Sequence, residues 1–297
     1  MSHEIRTPLN SIIGFTNVVL KTELNEKQKE YLNAIKLSSD SLIVLINDIL
    51  DLAKVDAGKM TFEKTPFKLL ESIESVLYLF ETKLTEKNLE LVKNFDTAIP
   101  KVLVGDPIRL HQIIMNLVSN AIKFTTQGNI TVSAKLVKET KENANVEISV
   151  SDTGIGIPEN KTKSIFSAFQ QATADTTRLY GGTGLGLAIV KQLVQGQGGT
   201  ITVKSKEGKG TSFTFTLDFG KTETDIRDEK NDHLVTEEKV GSIRVLVSED
   251  IKFNQLLMKT LLEGYGFELD IAENGKIVIE KLKEKEYDLV LMDLQMP

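Results

Sequence analysis

The chain has 297 residues, 40% of them hydrophobic and 26% charged, enough for two or three domains of ordinary globular composition. Its net charge of -6 lacks the basic footprint of a nucleic-acid binder, and the absence of cysteine excludes disulfides, zinc-thiolate sites and thiol catalysis. Nothing approaches the roughly eighteen apolar residues needed to span a bilayer and no signal peptide is visible, so a cytoplasmic location is expected for this portion.

Residues 1–22 read as a helix with an apolar stripe at Ile5, Leu9, Ile12, Thr16 and Val19. His3, Thr7, Asn10 and Gly14 then share nearly the opposite, solvated side. Asn25 is placed to cap a second helix, whose stripe of Leu32, Ile35, Ser39, Leu42, Ile46, Ile49 and Ala53 ends at Gly58. Two such helices with a short connection form an antiparallel hairpin that buries little alone. A homodimer, paired into a four-helix bundle, is the natural solution for residues 1–59.

Residues 60–220 change character. A helix over 67–85 and a strand at 89–95 are expected, with a short strand around Val102–Val104. Asp106-Pro107 then starts a helix running to about Phe124. Strands at 129–137 and 145–151, a helix near 159–169, a helix at 184–195 and a final hairpin complete an α/β sandwich with a mixed sheet. Residues 221–241 hold seven acidic and four basic residues with little apolar content, the mark of a linker. From 242 to 297 the pattern is β-α-β-α-β, the start of a doubly wound parallel sheet. Both ends read as cut, so the chain is expected to be an internal piece of something longer.

Three stretches carry chemistry. Asn116, Asn120 and Lys123 fall on one helix face, offering amide oxygen to a hard cation and donors to phosphate. Asp152-Thr-Gly154-Ile-Gly156 follows a strand, where glycines let backbone approach a ligand and the carboxylate can accept from an exocyclic amine. Gly182-Thr183-Gly184-Leu185-Gly186 opens a helix as a phosphate cradle does, but the polar segment before it fits neither a dinucleotide fingerprint nor a P-loop, so a lid is expected.

In this order the stretches resemble the conserved boxes of the sensor histidine kinases. Ser2–Asn10 resembles the H box, Asn116–Lys123 the N box, Asp152–Pro158 and Gly182–Gly186 the two G boxes, and Ile165–Phe169 the F box. The resemblance implies a Bergerat-type ATP-binding fold, with His3 as phosphoacceptor and Glu4 polarising its imidazole. Thr7 would position water in a reverse, phosphatase reaction. Asn120 would hold Mg2+, with Asn116 and Lys123 on the phosphates and Asp152 on adenine. Gly154 and Gly156 would shape the adenine turn, while Gly182, Thr183, Gly184, Leu185 and Gly186 would follow the triphosphate of ATP. Arg178 would reach the γ-phosphate. Phe166 and Phe169 would pack the lid base, and a plain core role suits them equally.

Residues 242–297 resemble a response-regulator receiver, with Glu249 and Asp250 as a metal pair and Asp293 as acceptor. The family's later hydroxyl and lysine lie beyond Pro297, so this piece is not expected to work as a receiver alone. Gln195-Gly-Gln-Gly-Gly199 departs from the family's apolar pattern, and a weakened helix end is expected there. The whole implies a hybrid sensor histidine kinase relaying phosphoryl from ATP through His3 to a receiver aspartate and a downstream protein. An upstream anchor would hold the full-length protein at the inner membrane. In the related gyrase and chaperone ATPases a glutamate four residues before the metal-binding asparagine activates water. Asn116 stands there and cannot act as a base, which disfavours the rival reading of a plain ATPase and favours transfer to a side chain; intact His3, Asn120, Asp152 and the glycines disfavour a nucleotide-binding dimeric scaffold that does not transfer.

Overall fold

A computed structural model describes residues 2–56, 58–162, 164–168, 184–222, 243–293 and 296. The chain divides into two compact units, Met1–Asn47 with Lys230–Pro297, and Asp48–Glu229.

The first unit contains α1 (Ser2–Val19) and the start of α2 (Glu26–Asp56). Asn25 caps α2 reciprocally: its side chain accepts from the Gln28 N–H at 2.9 Å, and the Gln28 side chain accepts from the Asn25 N–H at 3.0 Å. Leu9, Thr16 and Ser39 of the two stripes are buried, whereas Ile5, Ile12, Val19, Ile35, Leu42 and Ile49 stay exposed in the single chain. Pro8 lies inside α1 and removes the N–H that would reach the Glu4 carbonyl.

The same unit holds β8 (Arg244–Ser248), α7 (Lys252–Glu263), β9 (Glu268–Ala272), α8 (Gly275–Glu284) and β10 (Leu289–Met292). The three strands are parallel in the order β10-β8-β9, as the alternating pattern predicts. Val245, Leu246 and Val247 of the central strand are buried from both sides. Asn274 caps α8 by accepting from the Ile277 N–H at 3.0 Å.

The second unit begins with the last turns of α2. They close as a Schellman motif: Lys59 N–H reaches the Lys54 carbonyl at 2.9 Å, Gly58 N–H reaches Val55 at 2.8 Å, and Gly58 takes φ 63°. A seven-stranded mixed sheet follows, ordered β1-β3-β7-β5-β4-β2 with β6 also on β7. Its strands are β1 (Thr65–Phe67), β2 (Leu89–Phe95), β3 (Leu103–Gly105), β4 (Gly128–Glu139), β5 (Asn143–Asp152), β6 (Thr200–Lys206) and β7 (Gly210–Lys221). Only β2–β4 is parallel. Period-2 alternation sends Ile130, Val132, Val146, Ile148, Phe213 and Phe215 to one face. That face is covered by α3 (Leu69–Tyr78), α5 (Pro107–Phe124) and α6 (Gly186–Gly196), through residues such as Ile73, Leu117 and Leu193.

Three expectations need correction. The helix over 67–85 is a strand and two short helices, α3 and α4 (Glu81–Glu86), parted at Leu79–Phe80. Its buried residues Leu69, Ile73, Val76, Phe80 and Leu84 keep helical spacing across the break, so periodicity alone cannot detect it. The helix near 159–169 is a 3-10 turn at Glu159–Lys161 followed by turns, over its described residues. Thr162 and Ser164 donate their hydroxyls to the carbonyls of Glu159 and Lys161, in competition with an α-helical backbone. Finally, α6 does not fray at Gly196–Gly199. Gly199 N–H reaches Val194 at 2.9 Å, Gly198 N–H reaches Gln195 at 3.0 Å, and Gly198 takes φ 78°. The extra glycines supply a well-formed Schellman stop.

Candidate functional site

The nucleotide-type site is built where β5, α5 and α6 end or begin. Asp106 starts α5 by accepting from the Arg109 N–H at 3.0 Å, with Pro107 in the first turn. The helix buries Ile113, Ile114, Leu117 and Ile122 against the sheet, which leaves Asn116, Asn120 and Lys123 half-buried. The Asn116 amide donates to the Gln112 carbonyl at 3.1 Å, holding its side chain against its own helix. Its oxygen faces α6: a Cβ on Gly186 would stand 2.8 Å from Asn116 Oδ1. A side chain at Gly186 would have to displace the Asn116 amide from this position. Burial lowers the Lys123 pKa, and its ammonium lies 5.0 Å from the Phe124 ring centroid.

Asp152 closes β5. Its Oδ1 accepts from the Gly154 N–H at 2.8 Å. Burial raises its pKa, against the opposing pull of the Gly154 and Thr211 N–H groups. A Cβ at Gly154 would lie 2.3 Å from the Phe124 carbonyl, and one at Gly210 would lie 1.9 Å from the Asp152 carbonyl. Gly156 takes φ 70° against the Lys206 backbone. These glycines let three backbone segments pack closely about Asp152, and a side chain at Gly154 would also crowd its carboxylate, Oδ1 lying 2.9 Å from an added Cβ. Thr211, buried and paired in register with Asp152, is a site residue the sequence reading missed. Only the β5–β7 pairing brings it there, and no local pattern announces that.

Gly184 has φ 70° before α6. The Leu185 side chain is buried in the core, so only its backbone is available to a ligand. Phe166 packs on the core edge-to-face with Phe213, centroids 6.2 Å apart, in keeping with the core role. Arg178, Gly182, Thr183 and Phe169 lie outside the described residues. His3 and Glu4 occupy helical positions in the first turns of α1, and Thr7 follows one turn on.

In the parallel sheet, β8 and β10 are neighbours, so their C-terminal ends meet. Glu249, Asp250 and Asp293 each offer a carboxylate oxygen within 4.8 Å of the others. Three like charges so close repel unless a cation offsets them, and an all-oxygen set suits Mg2+. Glu249 Oε1 accepts from the Ile251 N–H at 3.1 Å and from the Asn254 amide at 3.0 Å.

These features give a pair of N-terminal helices, a mixed-sheet sandwich with a glycine-lined carboxylate, and an acidic rim on a parallel sheet. Family models match in the same order: His Kinase A (phospho-acceptor) domain at 1–58, histidine kinase-, DNA gyrase B-, and HSP90-like ATPase at 105–221, and response regulator receiver domain at 245–297. The chain belongs to the hybrid sensor histidine kinases. It is 42% identical to sensor histidine kinase GacS of Pseudomonas protegens, over 99% of this chain and 32% of that protein. To the autoinducer 2 sensor kinase/phosphatase LuxQ of Vibrio cholerae it is 38% identical, over 100% of this chain and 35% of that protein. Full-length ShkA, crystallised with AMPPNP, superposes with a TM-score of 0.64 at 28% identity, covering 94% of this chain and 56% of that one. The chain thus spans about a third of the length of these curated relatives. Among its described residues no helix is long and apolar enough to cross a membrane.

Proposed function

We propose that the chain carries out ATP-dependent phosphorylation of His3 and relays the phosphoryl group to a receiver aspartate, Asp293 or its equivalent in a separate protein. The observation that carries this reading is the glycine-walled Asp152 carboxylate beside the Asn116–Asn120–Lys123 face. Asp152 accepts from the adenine amino group, Asn116 and Lys123 contact the phosphates, and Gly182–Gly186 with Arg178 follow the triphosphate. An imidazole nitrogen of His3 attacks the γ-phosphorus as the bond to ADP breaks, and Glu4 stabilises the positive charge that develops on the ring. The phosphoryl group then passes to a carboxylate oxygen of Asp293, restoring neutral His3. Asn120 in one site, and Glu249, Asp250 and Asp293 in the other, would hold Mg2+, which would supply charge neutralisation to phosphoryl transfer. Thr7 would serve the reverse, water-dependent reaction.

The domain boundaries of this reading are 1–59 for dimerisation and phosphoacceptance, 60–220 for ATP binding, 221–241 for the linker and 242–297 for the receiver portion. Homodimerisation uses the exposed stripe of α1 and α2. This portion works in the cytoplasm, and the full-length protein sits at the inner membrane. Incubation with γ-labelled ATP should give acid-labile, alkali-stable label that His3→Gln abolishes. Label that survives the substitution, or steady phosphate release without phosphoprotein, would overturn the reading in favour of another acceptor or a plain ATPase.

A further inference from the structure

One face of the mixed sheet takes the apolar side chains, and the pleat sends their neighbours along each strand to the other, open face. On that open face, at the end of the β6–β7 hairpin, lies a cavity of about 350 Å3. Ser151 of β5, Ser212 of β7, Lys204 and Lys206 of β6 and Lys209 of the turn line it. The register sets Ser151 opposite Ser212, and Ser212 opposite Lys204. Ser151 donates to Ser212 at 2.8 Å, which leaves the Ser212 proton for another acceptor. Asp152, also in the wall, turns its carboxylate to the helix-covered face, where it accepts from Gly154.

The chain carries a net charge of -6, yet three lysines share this cavity. Among the described residues none of their ammonium groups has an ion-pair partner. Among those residues β6 is an edge strand, where lysines deter the addition of another strand. Edge protection needs neither the Ser151–Ser212 pair on the inner strands nor Lys209 in the turn. Like charges gathered on a concave wall with a free hydroxyl suit an anion. Lys204 and Lys206 stand about 7 Å apart along β6, a spacing that flanks two linked phosphate groups better than one. Beyond Ser149 and Thr214 the same face carries Glu147, opposite Lys135, and Asp218. The unpaired positive charge is thus confined to one end of the sheet, the extent of a small ligand and not of a nucleic-acid track.

We propose that this cavity binds a small ligand carrying two or more linked phosphate groups, held by Lys204, Lys206, Lys209 and the Ser212 hydroxyl, back to back with the Asp152 cradle. The hairpin turn joins the two sites. Gly208 N–H reaches the Ile155 carbonyl at 2.7 Å. Ser205 Oγ accepts from the Ile157 N–H at 2.8 Å, donates to the Gly210 carbonyl at 2.9 Å and lies 2.9 Å from Thr211 Oγ1. A ligand that holds Lys206 and Lys209 steadies the turn between them, and with it the loop from Asp152 to Ile157. Nucleotide and oligophosphate then favour each other's binding. The cavity's role stands on its own, and only this coupling rests on the proposed nucleotide role of Asp152.

The test is calorimetric titration with pyrophosphate in metal-free buffer, with the nucleotide site filled by a nonhydrolysable ATP analogue. Pyrophosphate should bind at a single site, and Lys204→Gln/Lys206→Gln/Lys209→Gln should weaken it about tenfold or more. Ser212→Ala, which removes no charge, should weaken it about threefold, and sulfate should bind about tenfold more weakly than pyrophosphate. A triple variant that binds like the parent, or sulfate that matches pyrophosphate, would overturn the site. So would a parent chain that ignores pyrophosphate; cosedimentation with phosphatidylglycerol vesicles in its place would assign the lysines to a membrane surface. At saturating pyrophosphate, analogue affinity should be about fivefold higher in the parent than in the triple variant, the two being equal without it. Equal affinities in both conditions would overturn the coupling and keep the site. Pyrophosphate binding through these lysines by a chain that takes up no ATP analogue would count against the ATP reading instead.

Discussion

At the residue scale, the arrangement turns on Gly210. Its φ of 99° and its missing side chain let β7 start against the carbonyl of Asp152. An added methyl group must displace backbone, because no flexible side chain is there to yield. Gly210→Ala should therefore destabilise the ATP-binding unit by about 2–4 kcal/mol. Thermal melts should show this as a lowered Tm, and titration with a nonhydrolysable ATP analogue should show weaker binding. Asp152→Asn preserves the shape and removes the charge, so it should leave Tm near the parent value while cutting analogue affinity by about 100-fold. Much of this site was legible in the sequence, because Asp152, Gly154, Gly156, Asn116 and Asn120 sit in compact local patterns tied to single elements. Thr211 was not legible, because its place opposite Asp152 is a property of pairing between two strands distant in the chain.

At the scale of elements, the end of α2 is bound into the ATP-binding unit by polar contacts. Arg109 donates to Asp51 at 3.2 Å and to the Gln112 side chain at 2.8 Å, while Gln112 donates to Asp51 at 2.8 Å. One turn earlier Asp48 is 8% exposed, and burial, reinforced by the negative charge of Asp51, raises its pKa to about 6. A carboxyl whose folded pKa is raised favours the folded state below its unfolded pKa of 3.8, and that contribution is lost as pH rises through about 6. Asp48→Asn should then raise stability by about 1–2 kcal/mol at pH 7, with the gain vanishing near pH 4. Denaturant melts of parent and variant across that range test it; an equal gain at both ends would refute the assigned titration. None of this follows from the heptad pattern, which treats position 48 as an ordinary exposed site between Ile46 and Ile49. The caps at Asn25, Gly58 and Asp106, by contrast, were legible because capping is local chemistry. The break at Leu79–Phe80 and the turn at Glu159–Lys161 escaped because apolar phase continues through the first and hydroxyl competition shortens the second.

At the scale of the molecule, the exposed Ile35, Leu42 and Ile49 form one stripe of a helix thirty-one residues long, with Ile5, Ile12 and Val19 on the other helix. A row of large apolar side chains left at 38–48% exposure calls for a second copy. Replacing Ile35 and Leu42 with lysine should convert a dimer to a monomer in sedimentation equilibrium while leaving analogue binding intact. An unchanged dimer mass would place the interface elsewhere. The three-part order was readable from the chain because each part announces itself differently: a 3-4 stripe, a glycine-punctuated sandwich, and buried strands alternating with helices.

The proline inside α1 gives the first turn of that helix a distinct mechanical character. With no N–H at Pro8, the carbonyl of Glu4 is left without its helical donor, so the turn bearing His3 loses one hydrogen bond to the rest of α1. Bending effort concentrates at such a joint, sparing the segment from Leu9 onward. In the proposed relay, a tilt of that one turn would re-aim His3 between a nucleotide donor and a carboxylate acceptor.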